Sequence, residues 1–223
     1  MRIVIFTGGN HAEQKLITTF LNRYIPDYVI AADSGLEQTA LLNIAPDCIL
    51  GDFDSLQNHA LLKKYPKADI RVFPRDKDFT DTELAMQQAE KVSTGKNDEI
   101  VIIGAGGAER IDHLIYFLRV FESTIPPAVW LFDTGCGFCL SHSLKNELTL
   151  SLPIGTIVSV FAISRRHRIF PAKIHSNGLH WELDNLHWNK AASISNRTDI
   201  KEVSFKVKHG RFLILVGRHA WLQ

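Results

Sequence analysis

The sequence predicts an α/β protein in two parts. Residues 1–140 read as a parallel sheet wrapped by helices and residues 141–223 as an antiparallel β-sandwich. Three observations lead there. Over the first 140 residues, short β-branched or apolar runs alternate with stretches of helical periodicity. After Phe138 the pattern changes to brief alternating segments broken by turn residues. The 223 residues, 45% of them hydrophobic, are enough to bury one large core or two modest ones.

Taken in order, RIVIFTG (2–8) is the first strand and YVIAAD (28–33) the second. Asp33-Ser34-Gly35 then opens a helix, where Asp33 is either its N-cap or a ligand-facing acid. CILGDF (48–53) is the third strand and ends in acids, and DIRVF (69–73) is the fourth. Thr80 followed by Glu83 forms a capping box, so a helix starts at Thr80 with Asp81 in its first turn. EIVIIGAG (99–106) is a buried strand leading into a Gly-rich turn. The helix after it carries Ile111, Leu114, Ile115, Leu118 and Phe121 on one apolar face. AVWLF (128–132) is the last strand of the first part, and Ile125-Pro126-Pro127 before it is a competing place for the boundary. The sandwich is read from ELTLSL (147–152), TIVSVFAI (156–163), AKIHS (172–176), EVSFKV (202–207) and RFLILVG (211–217), separated by Pro153, Gly155, Asn177-Gly178 and His209-Gly210.

Lys plus Arg number 25 against 24 acids, so the net charge of +1 argues against nucleic acid or a membrane surface as the main partner. No apolar run has the length of a bilayer span and the N-terminus does not read as a signal peptide, so a cytoplasmic protein is expected. Cys136 and Cys139 with His142 lack the second ligand pair of a zinc site and read as ordinary thiols of a reducing compartment.

Most acids of interest fall where an apolar run ends. In open α/β sheets the ligand crevice lies beyond the carboxyl ends of the strands, which is where Asp33, Asp52, Asp54 and the turn at Gly104–Gly107 fall. Asp52 and Asp54, two apart in a strand, project to one face, and two like charges held together call for a cation. Mg²⁺ fits, because it takes one or two carboxylates and fills its other positions with water and phosphate oxygens. The opposing reading is a solvated turn in which one acid caps a helix starting at Ser55. In RDKDFTDTELAM (75–86), Asp76, Asp78 and Asp81 lie beside Arg75 and Lys77, a mixture suited to metal and phosphate together or to a charge-balanced loop. GAGGAERIDHL (104–114) feeds a helix N-terminus, where free N–H groups and Arg110 would face a phosphate. Asp112 and His113 lie off its apolar stripe. The glycines match neither a P-loop nor a dinucleotide fingerprint.

The ordered set ADSG (32–35), PDCILGDFDSL (46–56), DKDFTDTELAM (76–86), RIDH (110–113), NGLHWEL (177–183) and SISN (193–196) resembles the thiamine pyrophosphokinase family and spans nearly the whole chain. The resemblance implies transfer of the β,γ-pyrophosphoryl unit of ATP to thiamine with Mg²⁺, giving thiamine diphosphate and AMP. It implies a Rossmann-like catalytic domain, a β-sandwich, and a homodimer with active sites between subunits. Carried over by position, Asp52, Asp54, Asp81 and Asp112 form the metal and phosphate centre, and Asp54, Asp81 and Asp112 are its catalytic acids. Asp33, Asp52, Asp78, Thr80, Arg110 and His113 are assigned to ATP, and Trp181, Ser193, Ser195 and Asn196 to thiamine. Trp188 and Trp221 are rivals for the role of Trp181, whose other reading is a core residue of the sandwich. Three departures from the family pattern stand out: Ala108-Glu109 lengthen the Gly-rich turn, the helix after His113 reads Leu114-Ile115-Tyr116-Phe117 where the family often has a small residue and Asn, and Ile194 replaces a hydroxyl residue. A diphosphokinase for a pterin or another hydroxymethyl heterocycle, and a non-catalytic thiamine or nucleotide sensor, are the other function classes.

Overall fold

The computed structural model describes residues 1–95, 97–107, 111–163, 172–183 and 193–217. The chain forms two compact units, Met1–Asp133 and Thr134–Gln223. The division falls before residue 140, since Gly135–Ser141 is a strand paired along its whole length with Arg211–Gly217. The residues between Asp133 and the expected boundary are therefore sheet of the second unit.

In the first unit, β1 (Arg2–Phe6), β2 (Tyr28–Ala32), β3 (Cys48–Gly51), β4 (Asp69–Val72), β5 (Glu99–Ile103) and β6 (Val129–Phe132) form one parallel sheet in the order β6-β5-β1-β2-β3-β4. Each is linked to the next by a segment that carries the chain back across the sheet, including helices α1 (Gln14–Arg23), α2 (Gly35–Leu41), α3 (Leu61–Lys64), α4 (Asp81–Val92) and α5 (Ile111–Phe117). The central strands β1, β2 and β5 are buried almost end to end, as strands covered on both faces must be. β4 lies at the edge and stays largely exposed. Strand order reverses about β1, so the switch point lies between the carboxyl ends of β1 and β5.

α5 departs from the expected stripe. Ile111 and Ile115 are 60% and 64% exposed, whereas Phe117, Val120 and Phe121 are buried. The helix stops at Phe117 and continues as a 3₁₀ turn, Leu118–Glu122. Three residues per turn instead of 3.6 rotates the buried face, so one stripe cannot run through both.

The second unit holds two antiparallel sheets. One contains β11 (Ser193–Arg197), β9 (Ile157–Ala162), β13 (Arg211–Gly217) and β7 (Gly135–Ser141), in that order. The other contains β10 (Lys173–Asn177), β12 (Glu202–His209) and β8 (Glu147–Ser151). Val158, Val160 and Ala162 of β9 and Val203, Phe205 and Val207 of β12 are buried at every second position, the period of a sheet with one face inward. Cys48, Cys136 and Cys139 are buried free thiols, and burial pushes Cys139 up to about 12. No described helix is long and apolar enough to cross a membrane.

Candidate active site

The carboxyl ends of β1, β2, β3 and β5 and the start of α4 surround a cavity of about 550 Å³. Its walls include Thr7, Asn10, Asp33, Asp52, Asp54, Ser55, Arg75, Thr80, Asp81 and the turn Ala105–Gly107.

Asp33 follows β2 with φ at 49°, a left-handed conformation that Asp tolerates better than most residues. It does not cap α2 with its side chain, since Ser34 occupies the N-cap position and no side-chain cap bond forms. Instead Ser55 Oγ donates to Asp33 Oδ2, while Asp33 Oδ1 is buried without a hydrogen bond. Burial pushes this carboxyl above its ordinary range.

Asp52 and Asp54 come together for a reason other than strand alternation. β3 ends at Gly51, and Phe53 turns the chain at φ 60°. The backbone N–H of Asp54 then donates to Asp52 Oδ1 at 3.2 Å. No helix starts at Ser55, and α3 begins only at Leu61. Carboxylate oxygens of Asp33, Asp52 and Asp54 lie within 4.8 Å of one another, the one such group among the described residues. A triad of hard oxygen donors, one of them a buried oxygen with no partner, suits a hard divalent cation such as Mg²⁺.

Two cations meet these acids. Arg75 Nε lies 3.1 Å from Asp54 Oδ2, with the guanidinium otherwise in solvent. Lys77 Nζ lies 2.7 Å from Asp52 Oδ2 and 3.3 Å from Asp81 Oδ1. Its hydrogen bond holds the Asp52 carboxyl below the usual range. Burial has the larger effect on Asp81 and pushes it up. On Lys77 burial acts downward, but the two carboxylates outweigh it and the ammonium binds its proton more firmly than usual.

The capping box forms as predicted. Glu83 N–H donates to Thr80 Oγ1 at 3.2 Å and Thr80 N–H to Glu83 Oε2 at 2.9 Å, which seats Asp81 on the first turn of α4. Thr80 thus lines the cavity with its hydroxyl engaged in the cap. Thr82, on the same turn, meets Thr7 across the cavity, hydroxyl to hydroxyl at 2.6 Å.

The Gly-rich turn works differently from a phosphate cradle. The N–H groups of Ala105 and Gly106 donate to the carbonyls of Gly8 and Asn10 at 2.8 and 3.1 Å. A Cβ on Gly104 would lie 2.4 Å from Thr7 O, and one on Gly106 2.6 Å from Asn10 O. The glycines allow the loops after β1 and β5 to lie against each other at the switch point. Arg110 and the insertion Ala108-Glu109 lie outside the described residues. On α5, His113 lines the cavity, whereas Asp112 is exposed and not among its lining residues; Asp78 is likewise exposed and away from the wall. Sequence reasoning missed Thr7, Asn10, Ser55 and Thr82. The position of TGGN directly after the first strand was the available signal for two of them.

In the second unit, Asn196 is fully buried. Its Nδ2 donates to Trp181 O at 2.7 Å and Ser193 Oγ at 3.1 Å, and its Oδ1 accepts from Trp181 N–H at 3.2 Å. The backbone of Trp181 is thereby fixed while its indole is 57% exposed, so it is not a core residue. Arg197 stands over the indole at 5.6 Å and His180 meets it edge-on. Ser195 sits at φ 54° with its N–H on Ser159 Oγ. Trp188 and Trp221 lie outside the described residues.

Fold and site together define a two-domain protein: an α/β unit with an acid-lined cavity at its switch point, followed by an antiparallel β unit. Residues 24–127 match the family model of the thiamin pyrophosphokinase catalytic domain. No curated protein matches the sequence. Among solved structures, a thiamin pyrophosphokinase family protein from Enterococcus faecalis is 19% identical, with a TM-score of 0.70 over 98% of this chain and 99% of that one. The thiamine pyrophosphokinase from Bacillus subtilis is 20% identical, with a TM-score of 0.69 over 97% and 99%. The yeast thiamin pyrophosphokinase is 16% identical, with a TM-score of 0.64 over 99% and 87%. At such identities these structures share the fold.

Proposed function

We propose that this protein is a thiamine pyrophosphokinase of the cytoplasm, transferring the β,γ-pyrophosphoryl unit of ATP to the hydroxyethyl oxygen of thiamine and releasing AMP. The observation that carries the reading is the convergence of Asp33, Asp52, Asp54 and Asp81, from the ends of β2 and β3 and the start of α4, on one cavity in a chain whose residues 24–127 match the family model of the catalytic domain. Asp52 and Asp54, with Asp33 behind them and Asp81 beside Lys77, are the residues that would hold Mg²⁺. When bound, that ion neutralises charge on the triphosphate.

The chain itself supplies position and charge. The Arg75 guanidinium, exposed apart from its contact with Asp54, would pair with phosphate oxygens, and one of the cavity carboxylates would receive the hydroxyl proton. In-line placement and charge neutralisation account for most of the acceleration in phosphoryl-type transfer. Asp112, Asp78 and Arg110 remain assigned to the nucleotide and metal side on the resemblance alone, whereas His113 also lines the cavity. The exposed indole of Trp181, fixed by Asn196 beside Ser193 and Ser195, offers an aromatic face to the cationic thiazolium. A homodimer in which this surface meets the acid-lined cavity of another subunit completes the proposal.

The test is incubation with ATP, Mg²⁺ and thiamine, with AMP and thiamine diphosphate measured as products. Asp54→Asn is expected to reduce turnover by at least about a thousandfold, the scale of losing a principal electrostatic group, while thiamine still binds. A pterin alcohol accepted in place of thiamine would move the substrate, and an unaffected Asp54→Asn protein without AMP release would leave only a sensor.

A further inference from the structure

The proposed chemistry asks the acids for a divalent cation, yet a positive charge already sits among them. Lys77 Nζ touches both Asp52 and Asp81, and its side chain is only 13% exposed. The two aspartates come from different loops, after β3 and at the start of α4, so the ammonium ties together elements that otherwise present like charges to each other. Asp52 cannot turn away easily, because its other oxygen accepts the Asp54 N–H. Arg75 faces Asp54 from solvent and is no substitute for this buried contact. A lysine suits a temporary role: its charge is a compact point on a flexible four-carbon stem, able to leave one carboxylate without disturbing the backbone.

We infer that Lys77 is a resident counter-ion that must be displaced before the acids take a divalent cation, and that the nucleotide triphosphate drives the displacement by giving the ammonium a new partner. This rests on the reading of the acids as a metal site. In the free protein Lys77 holds Asp52 and Asp81 together and keeps metal affinity low. When metal and triphosphate arrive together, the ammonium moves from carboxylate to phosphate oxygen, so each ligand strengthens the other's binding. Lys77 is then a positioning residue that couples metal to nucleotide.

The experiment is titration of the full chain with Mn²⁺, followed by the paramagnetic signal of the free ion, with and without an ATP analogue blocked at the α,β bridge. Wild type is expected to bind Mn²⁺ weakly alone and more tightly with the analogue. Lys77→Met is expected to bind Mn²⁺ alone about tenfold more tightly, as when a tenth-populated competent state becomes the dominant one, and to lose most of the enhancement by the analogue. Lys77→Arg, which restores the charge, should return toward wild type. Equal or weaker Mn²⁺ binding by Lys77→Met overturns the counter-ion role and leaves the metal site intact. Absence of Mn²⁺ binding in every variant, analogue present, overturns both. Thermal melts give a second readout: in EDTA, Lys77→Met should melt below wild type and gain more from added Mn²⁺. An unchanged melt in EDTA also overturns the inference.

Discussion

Asp33 shows how one residue can be poorly placed for stability and well placed for binding. Its carboxyl is buried, one oxygen lacks a partner, and Asp52 and Asp54 face it. Leaving a buried acceptor unsatisfied costs on the order of 1–3 kcal/mol. Asn keeps the left-handed backbone, can still accept from Ser55, and turns an amide N–H toward the neighbouring carboxylates. In EDTA at pH 7.5, Asp33→Asn is therefore expected to melt higher, by roughly 2–4 °C for each kcal/mol recovered in a chain of this length. The sign with pH follows from the raised carboxyl. The folded wild type binds this proton more readily than the unfolded chain, so its handicap is present above the folded-state pKa and fades as pH falls through it. The gap between variant and wild type should narrow on acidification. A variant melting at or below wild type at pH 7.5, or a gap that widens in acid, would refute this account.

Elements here are held by backbone fit as much as by side chains. Gly35 opens α2, where Ala would ordinarily be the better helix former. A Cβ there would lie 2.3 Å from Phe6 O and 2.8 Å from Thr7 N, both backbone atoms at the end of β1. β1 is fixed between β2 and β5 and cannot yield. Gly35→Ala is expected to destabilise the protein by about 3 kcal/mol, at the upper end for overpacking, with urea denaturation as the check. Gly95→Ala, whose Cβ meets nothing within 4 Å, is the control and should stay near wild type. The capping box of α4 belongs to the same scale. Its two reciprocal bonds fix where the helix begins, and through that where Asp81 points. α5 shows the limit of periodicity: its expected stripe breaks where the α-helix tightens into a 3₁₀ turn at Leu118.

At the scale of the whole molecule, the proposed homodimer makes a prediction that does not depend on stability. Asp54→Asn in the first unit and Trp181→Ala in the second both alter solvent-accessible side chains. If each site joins the first unit of one subunit to the second unit of another, the two inactive proteins should regain about a quarter of wild-type activity when exchanged at equal amounts. Half of the dimers are then mixed, each with one intact site. No recovery after verified subunit exchange would put both residues in one subunit's site. What could be read without the fold was local. The α/β alternation, the capping box at Thr80 and the carriage of Asp33, Asp52 and Asp54 to strand ends are set by hydrophobic period and neighbouring residues. The resemblance to the family rests on short stretches as well, from ADSG (32–35) to SISN (193–196). Other facts needed the folded chain: that Ser55 bonds Asp33 across 22 residues, that Lys77 bridges Asp52 and Asp81, and that Asn196 holds the backbone of an exposed Trp181. The Gly-rich turn gives its N–H groups to the loop after β1 for the same reason. That acids at the strand ends call for a cation was decided by sequence, because residue type fixes charge; which acids gather, with Asp33 joining Asp52 and Asp54, and which groups meet them was decided by tertiary structure, because hydrogen bonds and ion pairs depend on distances that chain order does not contain.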